Sequence, residues 1–314
     1  MIRRFSAVIL VFTLFVIAPL VKAQSNQGQG LEISPPLVEL KTDPGKTVQA
    51  KIRIRNVTNQ TLVVRSEVND FTAAGEDGQP RLLLDGTEKS PYSLKEWITT
   101  IPEVTLKSKE QKPAIITLQV PNYASPGGHY GVVRFTGTPA GVEGTGVSLS
   151  ASIGALILVN VSGDVKEEAT IAEIFTAQDN KKRGFFEYGP ITLFQRIENT
   201  GNVHVKPSGT IRVINMFGQE TASFSLNDNG GNILPSSVRK FEQQLNQKML
   251  FGRYKLQADV VYGEDNKIIS GSTTFWVIPY KLIIMALAGI ILIFFVIKRY
   301  NKIIVKRAQS KAKK

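Results

Sequence analysis

The 314-residue chain contains no cysteine and only two histidines, His129 and His204. Without cysteine no disulfide can form, so hydrophobic cores alone must hold the folded parts together. The motifs His-Glu-x-x-His, Gly-x-Ser-x-Gly and a phosphate-binding loop ending in Gly-Lys-Ser/Thr are also missing. These absences predict a protein that is not an enzyme and that holds no metal and no cofactor.

Two alternatives to this prediction stay open. Any two of the 26 acidic residues can converge as the paired carboxylates of a glycosidase, which would make the chain a hydrolase. Residues 227–232, Asn-Asp-Asn-Gly-Gly-Asn, have the composition of a calcium loop, but a turn between two strands explains them more simply.

Long apolar runs are confined to the two ends of the chain. The first run, residues 5–21, follows Arg3 and Arg4 and precedes Val21-Lys22-Ala23. This order is typical of a secretory signal, so we expect residues 1–23 to be a signal peptide that is cleaved before Gln24. A retained N-terminal membrane helix is the alternative.

The second run, residues 282–297, carries no charge and is followed by eight basic residues with no acid among them. Together with the residues before it, the run can cross a hydrocarbon core of about 30 Å. Trp276 and Tyr280 lie where interfacial aromatics belong. We predict a transmembrane helix over residues 278–297, because a buried core helix does not account for the basic flank.

The positive charge of the chain is a signal of topology. Of 38 basic residues, eight lie in the tail (residues 298–314), three in the signal region and one at Lys281, which leaves 26 basic against 26 acidic residues elsewhere. Basic flanks stay on the cytoplasmic side. The sequence therefore predicts a single-pass protein of the cell membrane, with its N-terminal ectodomain outside and its tail cytoplasmic. It also favours a bacterial envelope and a membrane partner over nucleic acid, although a nucleic-acid-binding arm has the same composition.

Between the two apolar runs, apolar and polar residues alternate as they do in strands with one wet face. Clear examples are residues 47–55, 62–68, 113–120, 131–135 and 147–161. Strands at this spacing, separated by turn residues, indicate antiparallel sandwiches. The predicted fold class is all-β, with two tandem immunoglobulin-like β-sandwich domains and one C-terminal transmembrane helix.

Two short motifs recur in the same order and set the domain boundaries. Ile54-Arg55-Asn56-Val57-Thr58-Asn59 has a counterpart in Ile197-Glu198-Asn199-Thr200-Gly201-Asn202, and Gly128-His129-Tyr130 has one in Gly252-Arg253-Tyr254. The repeat predicts domains over residues 30–162 and 165–277. The first domain is longer, and residues 71–98 are the expected site of the extra loops, where binding residues often lie.

A further set of short motifs in the first domain resembles a known family. In chain order they are Ile33-Ser34-Pro35-Pro36-Leu37-Val38-Glu39-Leu40, Asp43-Pro44-Gly45, the turn at Asn56, Phe71 with Glu76-Asp77-Gly78, Trp97-Ile98, Val120-Pro121 and Pro126-Gly127-Gly128-His129-Tyr130-Gly131. They resemble the N-terminal domain of WxL-interacting proteins, membrane-anchored cell-wall proteins of Gram-positive bacteria. Residues 165–277 are similar to the second domain of that family in position and length only.

The resemblance implies that the first domain binds peptidoglycan and that the second contacts a partner protein. Aromatic faces suit sugar rings, so the candidate ligand-binding residues are Tyr92, Trp97, His129, Tyr130 and Arg134. Trp97 packed into a core and His129 simply exposed are the plainer interpretations. The leading hypothesis is a non-catalytic binding protein for peptidoglycan or another cell-wall glycan. The alternative is a scaffold or chaperone-like assembly factor that pairs a sheet edge with another exported protein.

Overall fold

The computed structural model describes residues 30–84, 88, 90–140 and 151–311. The predicted signal peptide and its cleavage site lie outside these residues. The described part is built mainly from β-strands and ends in one long helix. This confirms the expected β class with a single apolar helix at the C-terminal end.

The described strands between residues 31 and 161 form two sheets, which we call the N-terminal sheet pair. Its strands are β1 (Leu31–Ser34), β2 (Leu37–Thr42), β3 (Thr47–Asn56), β4 (Leu62–Ala73), β5 (Pro80–Leu83), β6 (Val104–Leu106), β7 (Gln111–Gln119), β8 (Gly127–Pro139) and β9 (Ala151–Val161). One sheet has the order β1-β3-β7, and the other has the order β2-β9-β8-β4-β5 with β6 beside β4. A 3-10 turn, Lys95–Trp97, lies between β5 and β6.

Residues 169–277 form two more sheets, the C-terminal sheet pair. Its strands are β10 (Ala169–Gln178), β11 (Lys181–Lys182), β12 (Phe185–Phe186), β13 (Ile191–Asn199), β14 (Ser208–Asn215), β15 (Glu220–Leu226), β16 (Val238–Leu245), β17 (Gly252–Tyr262) and β18 (Lys267–Val277). The two sheets have the orders β11-β10-β13-β16 and β12-β18-β17-β14-β15.

The alternation of apolar and polar residues in the sequence corresponds to an alternation of buried and exposed residues along the strands. Along β3 every second residue from Ala50 to Asn56 is buried, and along β17 every second residue from Gly252 to Tyr262 is buried. The inward side chains of each sheet pair form its own hydrophobic core. Each half of the chain thus buries apolar area between two sheets, the usual arrangement of a β-sandwich.

The recurring motif occupies the same place in both sheet pairs. Asn56 and Asn199 are fully buried at the ends of β3 and β13. The Asn56 amide donates to the carbonyls of Gln60 and Lys107, and the Asn199 amide donates to those of Val203 and Ile233. In each turn the asparagine Oδ1 accepts from the backbone nitrogen two residues later. One buried asparagine therefore satisfies the backbone of each turn.

The extra length in residues 71–98 extends β4 and adds the β4–β5 turn together with the 3-10 turn. The β4–β5 turn reaches the C-terminal sheet pair, where Glu76 forms an ion pair with Arg196 and its carbonyl accepts from the backbone nitrogen of Lys240. The insertion thus helps to join the two sheet pairs.

Helix α1 (Tyr280–Lys311) follows the last strand. Residues Tyr280–Ile304 are long and apolar enough to cross a membrane. The helix begins two residues later than predicted, because the Ile278 amide still bonds to the carbonyl of Phe186 and Pro279 follows. It also continues beyond residue 297, so the first basic residues of the tail belong to the same helix.

Candidate functional site

The first half of β9 lacks a partner on one side within the described part of the chain. Strand β8 pairs with β9 from Gly137↔Ala151 to Gly127↔Val161. On the opposite side, β2 pairs with β9 in parallel only from Leu37↔Leu156 to Thr42↔Val161. No described strand pairs with this side of residues 151–155, and we call that stretch the β9 free edge.

The backbone polar groups at this edge follow from the pairing. The Leu156 amide donates to the carbonyl of Pro36, 2.9 Å away, so Leu156 directs its backbone groups away from β8. Alternate residues of a strand direct their N–H and C=O groups to the same side. Ser152 and Gly154 therefore present two donors and two acceptors at the free edge, and both residues are exposed.

Side chains along β9 do not protect this edge. Natural proteins block exposed edges with charges, prolines or bulges, and β9 carries neither a charged residue nor a proline. Several other outer strands do carry them: Glu32 in β1, Glu39 and Lys41 in β2, Pro80 and Arg81 in β5, Lys112 and Pro113 in β7, and Glu220 in β15. The β9 free edge is therefore suited to pairing with another strand.

Two of the predicted ligand residues, His129 and Trp97, contact each other inside the N-terminal sheet pair. Their ring centroids are 4.3 Å apart, His129 is 5% exposed, and Trp97 packs against the core. The Nε2 atom of His129 donates to the carbonyl of Ser125 at 2.9 Å. Burial lowers the pKa of His129 below its ordinary value.

Tyr130 and Tyr92 lie on the opposite face of the same sheet. Tyr130 is 1% exposed and its ring packs with those of Phe71, Tyr92 and His204. The Tyr130 hydroxyl lies 3.4 Å from Nδ1 of His204, which belongs to the C-terminal sheet pair. Burial raises the pKa of Tyr130. These aromatic rings therefore pack at the junction between the two sheet pairs.

Arg134 is half-buried and its guanidinium is already bonded. Its Nε atom donates to Oδ1 of Asn69 at 2.9 Å, and a terminal nitrogen pairs with Glu67. The five predicted residues thus lie on both faces of the β8 sheet and share no exposed aromatic face. Residues 227–232 form a turn between β15 and β16, in which the Asn227 side chain bonds to both backbone groups of Gly231.

Chemistry other than strand pairing has little support in this region. Within the described residues, no group of three or more His, Asp or Glu side chains could hold a metal ion. Sequence reasoning missed the β9 free edge, although a signal for it was present. Residues 147–161 form an uninterrupted run of 15 residues with no charge and no proline.

Comparison with solved structures finds distant similarities. The chain is similar to a class 5 fimbriae chaperone, CfaA, at 14% identity and a TM-score of 0.42, over 78% of this chain and 99% of that chain. It is similar to the CsuC–CsuE chaperone–tip adhesion subunit pre-assembly complex of Acinetobacter baumannii at 15% identity and a TM-score of 0.35, over 76% and 97%. A PapD-like domain of human CEP192 matches at 13% identity and a TM-score of 0.30, over 51% and 98%.

No family model and no curated protein sequence matches the chain. The resemblance to WxL-interacting proteins therefore stays a prediction. The hypothesis of a peptidoglycan-binding protein is wrong, because the rings chosen as a sugar platform share no exposed face: His129 and Tyr130 are buried, and Tyr92 and Trp97 are half-buried on opposite faces of the β8 sheet. Any other function must rest on the geometry of this chain.

Proposed function

We propose that the chain is a membrane-anchored, non-catalytic assembly factor that pairs with a strand of another exported protein at the β9 free edge. One observation carries this proposal: Ser152 and Gly154 direct their backbone groups to a side of β9 where no described strand pairs with them. Added strands form main-chain hydrogen bonds that need no particular side chain. The partner class is therefore an exported protein with an extended segment.

The geometry limits what such a segment can do. Strand β2 begins its pairing at Leu156, so a guest strand would lie in line with β2 and cover residues 151–155. Five residues of strand span about 17 Å. Ile153 packs towards the core while Ser152 and Gly154 face outwards. The guest would thus gain backbone bonds from the edge, and it would extend the outward face of the sheet.

The two sheet pairs are proposed to be two immunoglobulin-like domains outside the cell, held by α1 with the basic tail in the cytoplasm. The neutral charge of the rest of the chain and the basic residues that follow the apolar run support this orientation. Protease added to intact cells should then digest residues 24–277 and spare the tail. Survival of the sheet pairs with loss of the tail would reverse the orientation.

A photo-crosslinking amino acid at position 152 of the full-length membrane protein tests strand addition. We expect a covalent adduct with a second exported polypeptide, because residue 152 lies at the free edge. Position 272 is the matched control: Ser272 is also an exposed serine on a last strand, and it directs its backbone away from β17.

A second control separates strand pairing from mere proximity. Ser152→Pro removes the N–H donor from the free edge, whereas Ser272→Pro makes the same change on β18. With the crosslinker at position 151, the first variant should abolish the adduct and the second should retain it. Equal adducts from positions 152 and 272, or an adduct that survives Ser152→Pro, would refute strand addition at β9.

A further inference from the structure

The C-terminal sheet pair is joined to α1 without a free linker. Strand β18 ends at Val277 and the helix begins at Tyr280. The Ile278 amide donates to the Phe186 carbonyl at 2.8 Å, and Lys281 forms an ion pair with Glu187 at 2.7 Å. This end of the sheet pair therefore lies beside the first turn of the helix, and we call it the basal end.

Strand topology brings several loops to the basal end. Gly252 pairs with Val277, so the residues before β17 lie there, and Asn215 pairs with Tyr254, which places the β14–β15 turn there as well. Strand β12 runs parallel to the last two residues of β18. Four separate segments of the chain thus meet around the start of α1.

These segments carry exposed apolar side chains. We call the following six residues the basal ring: Phe185, Tyr188, Phe217, Met249, Phe251 and Trp276. Met249 is 98% exposed and Phe217 is 76% exposed. Of the eleven large hydrophobic residues that are exposed within the described part of residues 30–277, seven lie at the basal end. Such clustering marks an interaction surface.

Cations accompany the basal ring. Lys181, Arg183, Lys248 and Arg253 are exposed on the same loops or at the starts of the adjoining strands. A cavity of about 520 Å³ beside the helix start is lined by Arg183, Tyr188, Tyr280 and Lys281, along with the acids Asp179 and Glu187. Aromatic rings interspersed with Lys and Arg are typical of surfaces that lie in the headgroup layer of a bilayer.

We propose that the basal ring is seated in the anionic headgroup layer of the bilayer that α1 crosses. The proposal rests on the membrane anchoring proposed above. The hydrogen-bonded joint at residues 277–280 places the ring beside the point where the helix leaves the sheet pair, and the cations around the ring complement anionic lipid. The membrane would then hold the C-terminal sheet pair at a fixed height and tilt, and with it the β9 free edge.

Tryptophan fluorescence of the full-length protein in vesicles tests this proposal. In a Trp97→Phe, Trp276→Phe background, single tryptophans are placed by Phe217→Trp, Met249→Trp, Tyr123→Trp and Ile291→Trp. The vesicles contain anionic phospholipid brominated either near the headgroup or deep in the acyl chain. We expect blue-shifted emission at positions 217 and 249 and quenching there by the shallow bromines.

The other two positions separate the proposals. Tyr123, which is 90% exposed in the N-terminal sheet pair, should give an unquenched control, and position 291 should be quenched by deep bromines if α1 spans the bilayer. Quenching at 291 with positions 217 and 249 indistinguishable from 123 would overturn the basal ring alone. No quenching at position 291 would contradict both the membrane anchoring by α1 and the seating of the basal ring in the headgroup layer. Equal quenching of 217 and 249 in neutral and anionic vesicles would contradict the role of the cations.

Discussion

The last strands of the two sheet pairs, β9 and β18, occupy equivalent positions but are covered differently. Each pairs with the preceding strand on one side and with a parallel strand on the other. Strand β2 covers six residues of β9, whereas β12 covers only two residues of β18. Yet the edge of β18 is flanked by β10, whose Ile171 and Ile174 side chains pack over Gly271.

Pairing alone therefore does not decide which edge is available to another strand. The longer unpaired stretch, on β18, has apolar side chains of a neighbouring strand beside it. Both stretches present small exposed residues, Ser152 and Gly154 on β9 and Ser270 and Ser272 on β18. Strand β1 also lies close to β9, so the two edges differ in degree: β9 carries neither a charged residue nor a proline, whereas β18 carries Lys267.

Removal of the buried asparagines should give the largest effect on stability. Asn56→Ala leaves the carbonyls of Gln60, Leu106 and Lys107 without their donor, and Asn199→Ala leaves two carbonyls without theirs. Each change should lower the free energy of unfolding of its own sheet pair by about 3 kcal/mol. Urea unfolding can follow the two halves separately, because Trp97 lies in one and Trp276 in the other.

Single-tryptophan backgrounds make this measurement specific. Asn56→Ala should shift the transition reported by Trp97, and Asn199→Ala the one reported by Trp276. Asn59→Ala, an exposed asparagine in the same turn as Asn56, is the control and should change little. If either buried variant behaves like the control, the equivalence of the two turns is mistaken.

Acid should weaken the junction between the sheet pairs. Burial lowers the pKa of His204 to about 4, below its ordinary value near 6.5. Below pH 6.5 the unfolded chain therefore binds a proton at His204 that the folded chain does not bind. The free energy of unfolding is highest above pH 6.5 and falls as the pH drops towards 4. The expected loss at pH 4 is about 2 kcal/mol after allowance for solvent screening.

Unfolding at a series of pH values tests this dependence. His204→Gln should reduce the fall in the free energy of unfolding at acidic pH. His129→Gln provides the comparison, because burial also lowers the pKa of His129, but this ring lies within the N-terminal sheet pair. If the free energy of unfolding of His204→Gln falls at acidic pH as much as that of the unsubstituted protein, His204 does not couple folding to pH.

The ion pairs of Arg196 should give the smallest effect. Arg196 donates to Glu76 across the junction and to Glu173 within its own half, with side chains about a third exposed. A double-mutant cycle of Glu76→Gln and Arg196→Gln should give a coupling of at most about 1 kcal/mol. The same cycle with Glu103→Gln and Arg65→Gln, an exposed ion pair, is the control. A coupling no greater than that of the control pair would mean that the ion pair between Arg196 and Glu76 does not stabilise the junction.

Much of the β class was predictable from the sequence because alternation reports burial directly. The strand predicted at residues 47–55 is observed as β3, and the repeated asparagine turns proved to be structurally equivalent. The apolar run after residue 280 is likewise observed as the one long helix. These features depend on residues close to one another in the chain.

The surroundings of the site were not predictable in the same way. Tyr130 follows two glycines near the start of β8, and nothing in the neighbouring sequence indicates that its ring is buried. The ring of His204, 74 residues away, packs against it. Alternation cannot tell an exposed face from one covered by another sheet pair. The β9 free edge depends on where β2 stops pairing, which is a property of long-range register.

Residue-resolved hydrogen exchange along β9 in the full-length protein tests the central claim most directly. If the free edge exists, the amides of Ser152 and Gly154 should exchange rapidly, while those of Ile153 and Ala155, bonded to β8, and of Leu156, bonded to Pro36, should be protected. Uniform protection from residue 151 to residue 161 would show that the edge is already covered and would contradict strand addition at β9.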